Sequence, residues 1–386
     1  MTGQAIDAAA CVRALHFITG LNTGGAETAL CRLLEALRPP AFEHVVVALG
    51  HPGALSMRVA AVAELHHLGM NPARPRPRDL WHQRSIVRAT APDMVHGWMY
   101  HANIAATFAT MGSAIPMLWG IRQSLYDLSK EKRLTRLVIK GGALLSRRPR
   151  LILYNSVVSA RQHGKYGYDT TRARVIPNGF DSDVFMPDDP TRCRIRAELA
   201  LPAETLLIGL VARVHPMKDH ANFLRAAALF TAECPQARYL LIGDGADVRN
   251  SALSGLIGEL GLQGRVLLCG RRTDVAAINA ALDIACSSSS WGEAFPNAIG
   301  EAMACGVPCV ATNVGDVPQI IGDTGVVVPA RDASALAAGW SKLAALPASS
   351  RRALGLRARQ RIVEHYSLRE VSRRYADLYV SMTGRG

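Results

Sequence analysis

The sequence predicts an α/β chain made of two successive Rossmann-like units, each a parallel sheet wound with helices. Three observations carry this. Apolar runs of strand length alternate with helix-period patterns along almost the whole chain. A polar, proline-containing stretch over 181–202 splits that alternation into two series. The 386 residues, 49% hydrophobic and 19% charged, suffice for two domains of ordinary size, each with a core to bury.

In the first series, apolar runs at 12–18, 44–49, 94–96, 117–119, 151–154 and 174–176 are separated by helix-like segments, the signature of parallel strands joined by crossovers. The second series runs at 206–211, 237–242, 266–269, 284–286, 307–311 and 326–328. The boundary is expected near residue 180, with an N-terminal domain over 1–180 and a second over 181–365. The last forty residues are helical in pattern. Neither an internal repeat nor a low-complexity tract is visible.

The segment Trp291-Gly-Glu-Ala-Phe-Pro-Asn-Ala-Ile-Gly-Glu301 places two carboxylates eight positions apart across a helix start. Pro296 suits a first turn, where an N–H has no intrahelical partner. Glu293 then lies on the loop and Glu301 inside the helix. The two carboxylates can accept hydroxyls of two sugars, while the N–H groups of Phe295, Asn297 and Ala298 face an anion between them. A nucleotide sugar has that pattern of ribose, phosphates and sugar.

Earlier in the chain, Gly20-Leu-Asn-Thr-Gly-Gly-Ala-Glu27 follows a strand and opens a helix. Gly24 and Gly25 permit positive φ and a close approach of backbone N–H groups to an oxyanion. The spacing is not that of a dinucleotide fingerprint, which disfavours a nicotinamide enzyme. Arg213 and Lys218, in Val211-Ala-Arg-Val-His-Pro-Met-Lys218, follow the first strand of the second series, at the carboxyl edge where α/β sheets bind ligands.

These motifs, with Pro92-Asp-Met-Val-His96, Val175-Ile-Pro-Asn-Gly179, Leu241-Ile-Gly-Asp-Gly245 and Glu301-Ala-Met-Ala-Cys-Gly-Val-Pro308, resemble in order the retaining glycosyltransferases of family 4. The resemblance implies the GT-B architecture, two Rossmann-like domains facing a cleft, with a terminal helix over 366–386 returning to the first domain. It implies a nucleoside diphosphate sugar donor. Glu301 would bind its ribose, Glu293 the transferred sugar, and Arg213, Lys218 and the Gly24-Gly25 turn its phosphates. A donor-facing histidine is also implied: His96 matches a strand-end position, and His101 begins the next helix. Asn155 and Arg122 become acceptor-side candidates, and Asn178-Gly179 a hinge.

The net charge of +13 comes mostly from arginine without interleaved aromatics, so nucleic acid is a poor partner. The densest basic stretch, 124–150, sets Lys130, Lys132, Arg133, Arg136, Lys140, Arg147, Arg148 and Arg150 among leucines at helical spacing. Such a helix suits an anionic membrane surface. No apolar run long enough to span and no secretory pattern is seen, so a cytoplasmic enzyme, peripheral at most, is expected. The eight cysteines lack metal-ligand spacing and read as reduced, mostly buried thiols. Asp181-Ser-Asp183 imitates a metal-binding pair but stands in the linker, far from every donor motif, and no metal or cofactor is expected.

The expected reaction is therefore transfer, with retention and without metal, of a hexosyl-type residue to a hydroxyl of a saccharide, polyprenyl-linked or lipid acceptor in polysaccharide, lipopolysaccharide or glycolipid synthesis. Alternatives are a silent scaffold of an assembly complex, a sugar-nucleotide epimerase or a phosphorylase.

Overall fold

A computed structural model describes residues 11–70, 76–130, 133–202 and 204–384. The chain forms two compact units: Met1–Gly179 together with Leu368–Gly386, and Phe180–Ser367.

The first unit holds a seven-stranded sheet of β1 (Val12–Ile18), β2 (Phe42–Ala48), β3 (Glu64–His67), β4 (Met94–Trp98), β5 (Met117–Ile121), β6 (Leu151–Tyr154) and β7 (Ala173–Val175). Every pairing is parallel, in the order β3-β2-β1-β4-β5-β6-β7. Six strands stand where the apolar runs place them. The seventh, β3, is Glu-Leu-His-His, an edge strand with no buried residue, so no apolar run announces it.

Helix Gly25–Ala36 covers one face of this sheet with Leu30, Leu33 and Leu34, beside Tyr375, Tyr379 and Met382 of the terminal helix Leu368–Thr383. Ile86, Tyr100, Ala106 and Ile139 cover the other face. Gly179 lets the chain pass the terminal helix closely, since a Cβ there would lie 2.9 Å from Leu368 Cα.

The centre of this sheet carries a polar chain. The Trp98 indole N–H donates to His16 Nδ1 at 3.2 Å. His16 Nε2 must therefore carry its proton and donate to His44 Nδ1 at 3.1 Å, and His44 Nε2 in turn donates to the Leu37 carbonyl at 2.7 Å. Burial holds the pKa values of His16 and His44 below the usual histidine range.

The second unit holds β8 (Leu207–Val211), β9 (Arg238–Ile242), β10 (Val266–Leu268), β11 (Ile284–Ser287), β12 (Cys309–Thr312) and β13 (Val326–Val328), parallel in the order β10-β9-β8-β11-β12-β13. Phe223, Phe230 and Trp340 fill one face and Ile299, Met303, Ile320 and Ile362 the other. Burying a side chain such as Phe223 contributes about 1.5–3 kcal/mol. Gly300 leaves a slot for the Phe180 ring, which a Cβ would overlap.

Strand order reverses between β1 and β4 in one unit and between β8 and β11 in the other. Such switch points open a crevice at the carboxyl edge of the strands. All eight cysteines are free thiols; five are buried and Cys193 is exposed.

Candidate active site

In the second unit the loops after β8, β11 and β12, neighbours at the switch point, meet around Glu293. The β8 loop is held by Ala212 N to Ile242 O and Val214 N to Asp244 O, both 2.7 Å, and ends in the 3-10 turn Pro216–Lys218. Asp219 follows at φ 48°, a left-handed conformation that aspartate tolerates better than most residues. Its side chain accepts from Asn222 N at 3.2 Å, capping helix His220–Glu233. Lys218 is thereby set on a short, fixed turn.

After β11 the chain runs through Ser287–Ser290. Ser288 Oγ donates to the Lys218 carbonyl at 2.7 Å, and Ser290 N donates to the Met217 carbonyl at 2.8 Å. Gly292, at φ 77°, allows the turn, and a Cβ there would press on Met217 Sδ at 2.7 Å. The Glu293 carboxylate accepts from Lys218 Nζ and from Ser289 Oγ at 2.8 Å, both on Oε1. From β12, Gly315 at φ 64° passes the Glu293 and Ala294 carbonyls, and Asp316 N donates to Ala294 O at 3.0 Å.

The sequence-expected residues are therefore only partly brought together. Glu293 stands on the loop before the helix and Glu301 inside helix Asn297–Ala304, as expected, but it is Glu293 that is buried, at 9% exposure, and Glu301 that is half-buried. Pro296 is the N-cap rather than a helical residue and supplies no side-chain cap to the first turn with Asn297 and Ala298. Phe295 is buried, stacked on Phe180 at 6.0 Å and tilted against Tyr366 at 5.6 Å. Arg213 is exposed, and its guanidinium makes no hydrogen bond or ion pair among the described residues. Nothing in either local sequence announces the pairing of Lys218 with Glu293. It makes one of the two expected phosphate cations part of a locally neutral pair.

In the first unit, the Gly24 turn follows β1 and His101 follows β4, flanking the other switch point. Gly24 sits at φ −152°, so the positive φ that glycine would allow is not used. The space a Cβ would fill is taken by the Glu27 carboxylate, folded back over the turn. Burial raises the pKa of Glu27, opposed by its own backbone N–H.

His96 is a correction. It is the third residue of β4, not its last, and is fully buried. Its Nδ1 pairs with Tyr379 Oη at 2.8 Å, its ring packs on Trp98 at 4.5 Å, and burial then the Arg122 charge keep its pKa well below the usual value. It belongs to the core of its unit. His101, half-buried in the first turn of helix Met99–Ala109, stays near the edge, its pKa lowered by burial.

Arg122 and Asn155 converge on one acceptor, the Asn178 carbonyl Oδ1, at 2.5 and 3.3 Å. Arg122 also donates to Tyr375 Oη at 3.0 Å and lies over the Trp98 ring. Both acceptor-side candidates are thus braced against the end of the unit's first segment, with Asn155 Oδ1 left buried without a partner. Asp181, of the metal-like pair, accepts the N–H groups of Asp183 and Val184 at 3.1 and 3.2 Å, the role of a turn former. Sequence reasoning missed Ser288, Ser289 and Thr312. The run of serines at a strand end was the available signal.

Two doubly wound units, the second with a lysine, an arginine and a glutamate at its switch-point edge, define a class of two-domain α/β folds. Family models narrow it. The model of Glycosyltransferase Family 4 matches residues 23–184 and that of Glycosyl transferases group 1 matches 205–345. The chain belongs to the family 4 glycosyltransferases.

D-inositol 3-phosphate glycosyltransferase of Mycobacterium tuberculosis is 34% identical over 185 residues, 46% of this chain and 37% of that protein, so the match spans well under half of that relative. Among solved structures, Alr3699/HepE of Anabaena in complex with UDP superposes with a TM-score of 0.82 at 21% identity over 96% of this chain and 100% of that one. A glycosyltransferase from Rickettsia africae does so at 0.83 and 20%, over 96% and 98%. These likenesses are of fold, the GT-B type.

Proposed function

We propose that the chain is a retaining glycosyltransferase that works without a metal, moving a hexosyl-type residue from a nucleoside diphosphate sugar to a hydroxyl acceptor. The observation that carries this reading is the cluster of Arg213, Lys218 and Glu293 on two adjoining loops at the β8/β11 switch point. Arg213 and Lys218 face the charge that grows on the leaving diphosphate, where fixed cations act mainly in the transition state. Glu293 holds hydroxyls of the transferred sugar and Glu301 the ribose. The C1–O bond to phosphate breaks as the acceptor oxygen bonds C1 on the same face. The leaving phosphate oxygen takes the acceptor proton, so no second carboxylate is required as base.

UDP-glucose is the donor to try first, because HepE of Anabaena, of the same fold, has been solved with it. Incubation with UDP-, GDP- and ADP-sugars tests the reading: release of nucleoside diphosphate supports it, and tight binding without turnover under any acceptor favours a silent scaffold.

A bilayer-bound acceptor is favoured by helix Arg133–Leu145. Leu134, Leu137 and Leu144 recur at helical spacing on one face with 42%, 65% and 86% exposure, among the exposed cations Arg133, Lys140, Arg147 and Arg148. The side chain of Lys130 and all of Lys132 lie outside the described residues. No helix among the described residues is long and apolar enough to cross a membrane. The helix would rest on an anionic surface and present the first unit to polyprenyl-linked or glycolipid acceptors for polysaccharide, lipopolysaccharide or glycolipid synthesis.

A further inference from the structure

We infer that Ser289 is a positioning residue that decides which oxygen of Glu293 meets the substrate. The inference rests on the glycosyl-transfer reading for its substrate and on geometry for the rest. Both hydrogen bonds to the Glu293 carboxylate, from Lys218 Nζ and Ser289 Oγ, arrive at Oε1. Oε2 receives none from a described residue. Facing a carboxylate paired with a lysine, the Ser289 hydroxyl is the donor.

Ser289 is itself locked in place. It is 1% exposed, and its carbonyl accepts from Thr312 Oγ1 at 2.6 Å, a residue that is fully buried. Its neighbour Ser288 holds the backbone of Lys218 at 2.7 Å. Two consecutive serines therefore grip the two partners of the ion pair separately, one by the lysine main chain and the other by the carboxylate. With Oε1 doubly occupied, the carboxylate cannot turn, and a single oxygen, Oε2, is left to accept a hydroxyl of the transferred sugar. Glu293 on this account presents one oxygen, in one fixed direction, to the transferred sugar. Lys218 alone would not enforce this, because an ammonium on a flexible stem follows its partner.

The test is a double-mutant cycle of Ser289→Ala and Glu293→Gln, measured by hydrolysis of the nucleotide sugar that the unaltered protein cleaves fastest. Ser289→Ala is expected to lower kcat roughly 10- to 100-fold, the range for a hydrogen bond to a charged group. Affinity for the free nucleoside diphosphate should change less than about 2-fold, which also reports a folded protein. In the Glu293→Gln background the same substitution should cost almost nothing further, whereas a purely structural role would cost the same in both. Equal costs in the two backgrounds, or an unchanged kcat, overturn the inference.

A crystal structure of Ser289→Ala gives a reading independent of turnover: the Glu293 carboxylate should rotate or occupy two rotamers. A carboxylate in its original orientation overturns the inference even if no donor is hydrolysed. Loss of activity with every donor in the unaltered protein counts against the transfer reading alone.

Discussion

Lys218 and Glu293, 75 residues apart in the chain, form an ion pair whose side chains retain only 21% and 11% exposure. Each partner leaves the other poorly solvated if removed, so this pair ties stability to the switch-point loops in a way that Arg213, exposed and on the same loop, does not. Taking one partner of a buried pair away is far costlier than replacing both by apolar groups.

Lys218→Ala and Arg213→Ala should each slow turnover roughly 100- to 1,000-fold, as when one fixed stabilising donor is lost. Only Lys218→Ala should also lower the thermal midpoint. Lys218→Met combined with Glu293→Leu should recover that midpoint without recovering activity. Equal melting losses for the lysine and arginine variants would contradict the pairing.

The two glutamates should separate by ligand. Glu301→Ala is expected to weaken the free nucleoside diphosphate and the donor together, while Glu293→Ala spares the nucleotide and loses turnover. Calorimetric titration with both ligands checks this, and matching losses of nucleotide affinity would reverse the assignment.

Much of this architecture is legible in the sequence because buried parallel strands are nearly continuous apolar runs. The Lys218–Glu293 pair is not legible, since nothing in either local sequence marks a contact made by loops from two neighbouring strands. His96 illustrates the opposite failure: a histidine near a strand end looks available until two further residues, Gly97 and Trp98, extend the strand past it. Gly24-Gly25 reads as a phosphate cradle, and nothing in its sequence announces that the Glu27 carboxylate lies where a Gly24 side chain would begin. β3 escaped because an edge strand need not be apolar on either face.

Buried neutral histidines set an acid limit on the first unit. His16, His96 and His163 all have folded pKa values below 6.5, mainly through burial, with His163 near 4. The unfolded chain therefore binds more protons below that value. Their contribution is complete above pH 6.5 and falls as pH drops, by about 1.4 kcal/mol per unit for each histidine. For His163 the loss totals on the order of 3 kcal/mol by the time its folded pKa is reached. Urea midpoints between pH 7.5 and 5 should decline accordingly, less steeply in His163→Gln; a flat profile would be inconsistent with neutral buried rings.

The helix Arg133–Leu145 should bring the protein down with anionic liposomes at low ionic strength, and salt should release it. Reversing Arg133, Arg136 and Lys140 to glutamate should abolish binding while nucleotide affinity persists. Leu137→Asn with Leu144→Asn should weaken it at unchanged charge. Absence of binding even in dilute buffer would point to a soluble acceptor.

The chain from Trp98 through His16 and His44 to the Leu37 carbonyl has a fixed sense, because an indole N–H only gives and a carbonyl only receives. Neither end can reverse its role, so each ring is confined to a single tautomer. Unlike a relay of hydroxyls, which can flip and hand charge along, this line is an insulator at the middle of the sheet.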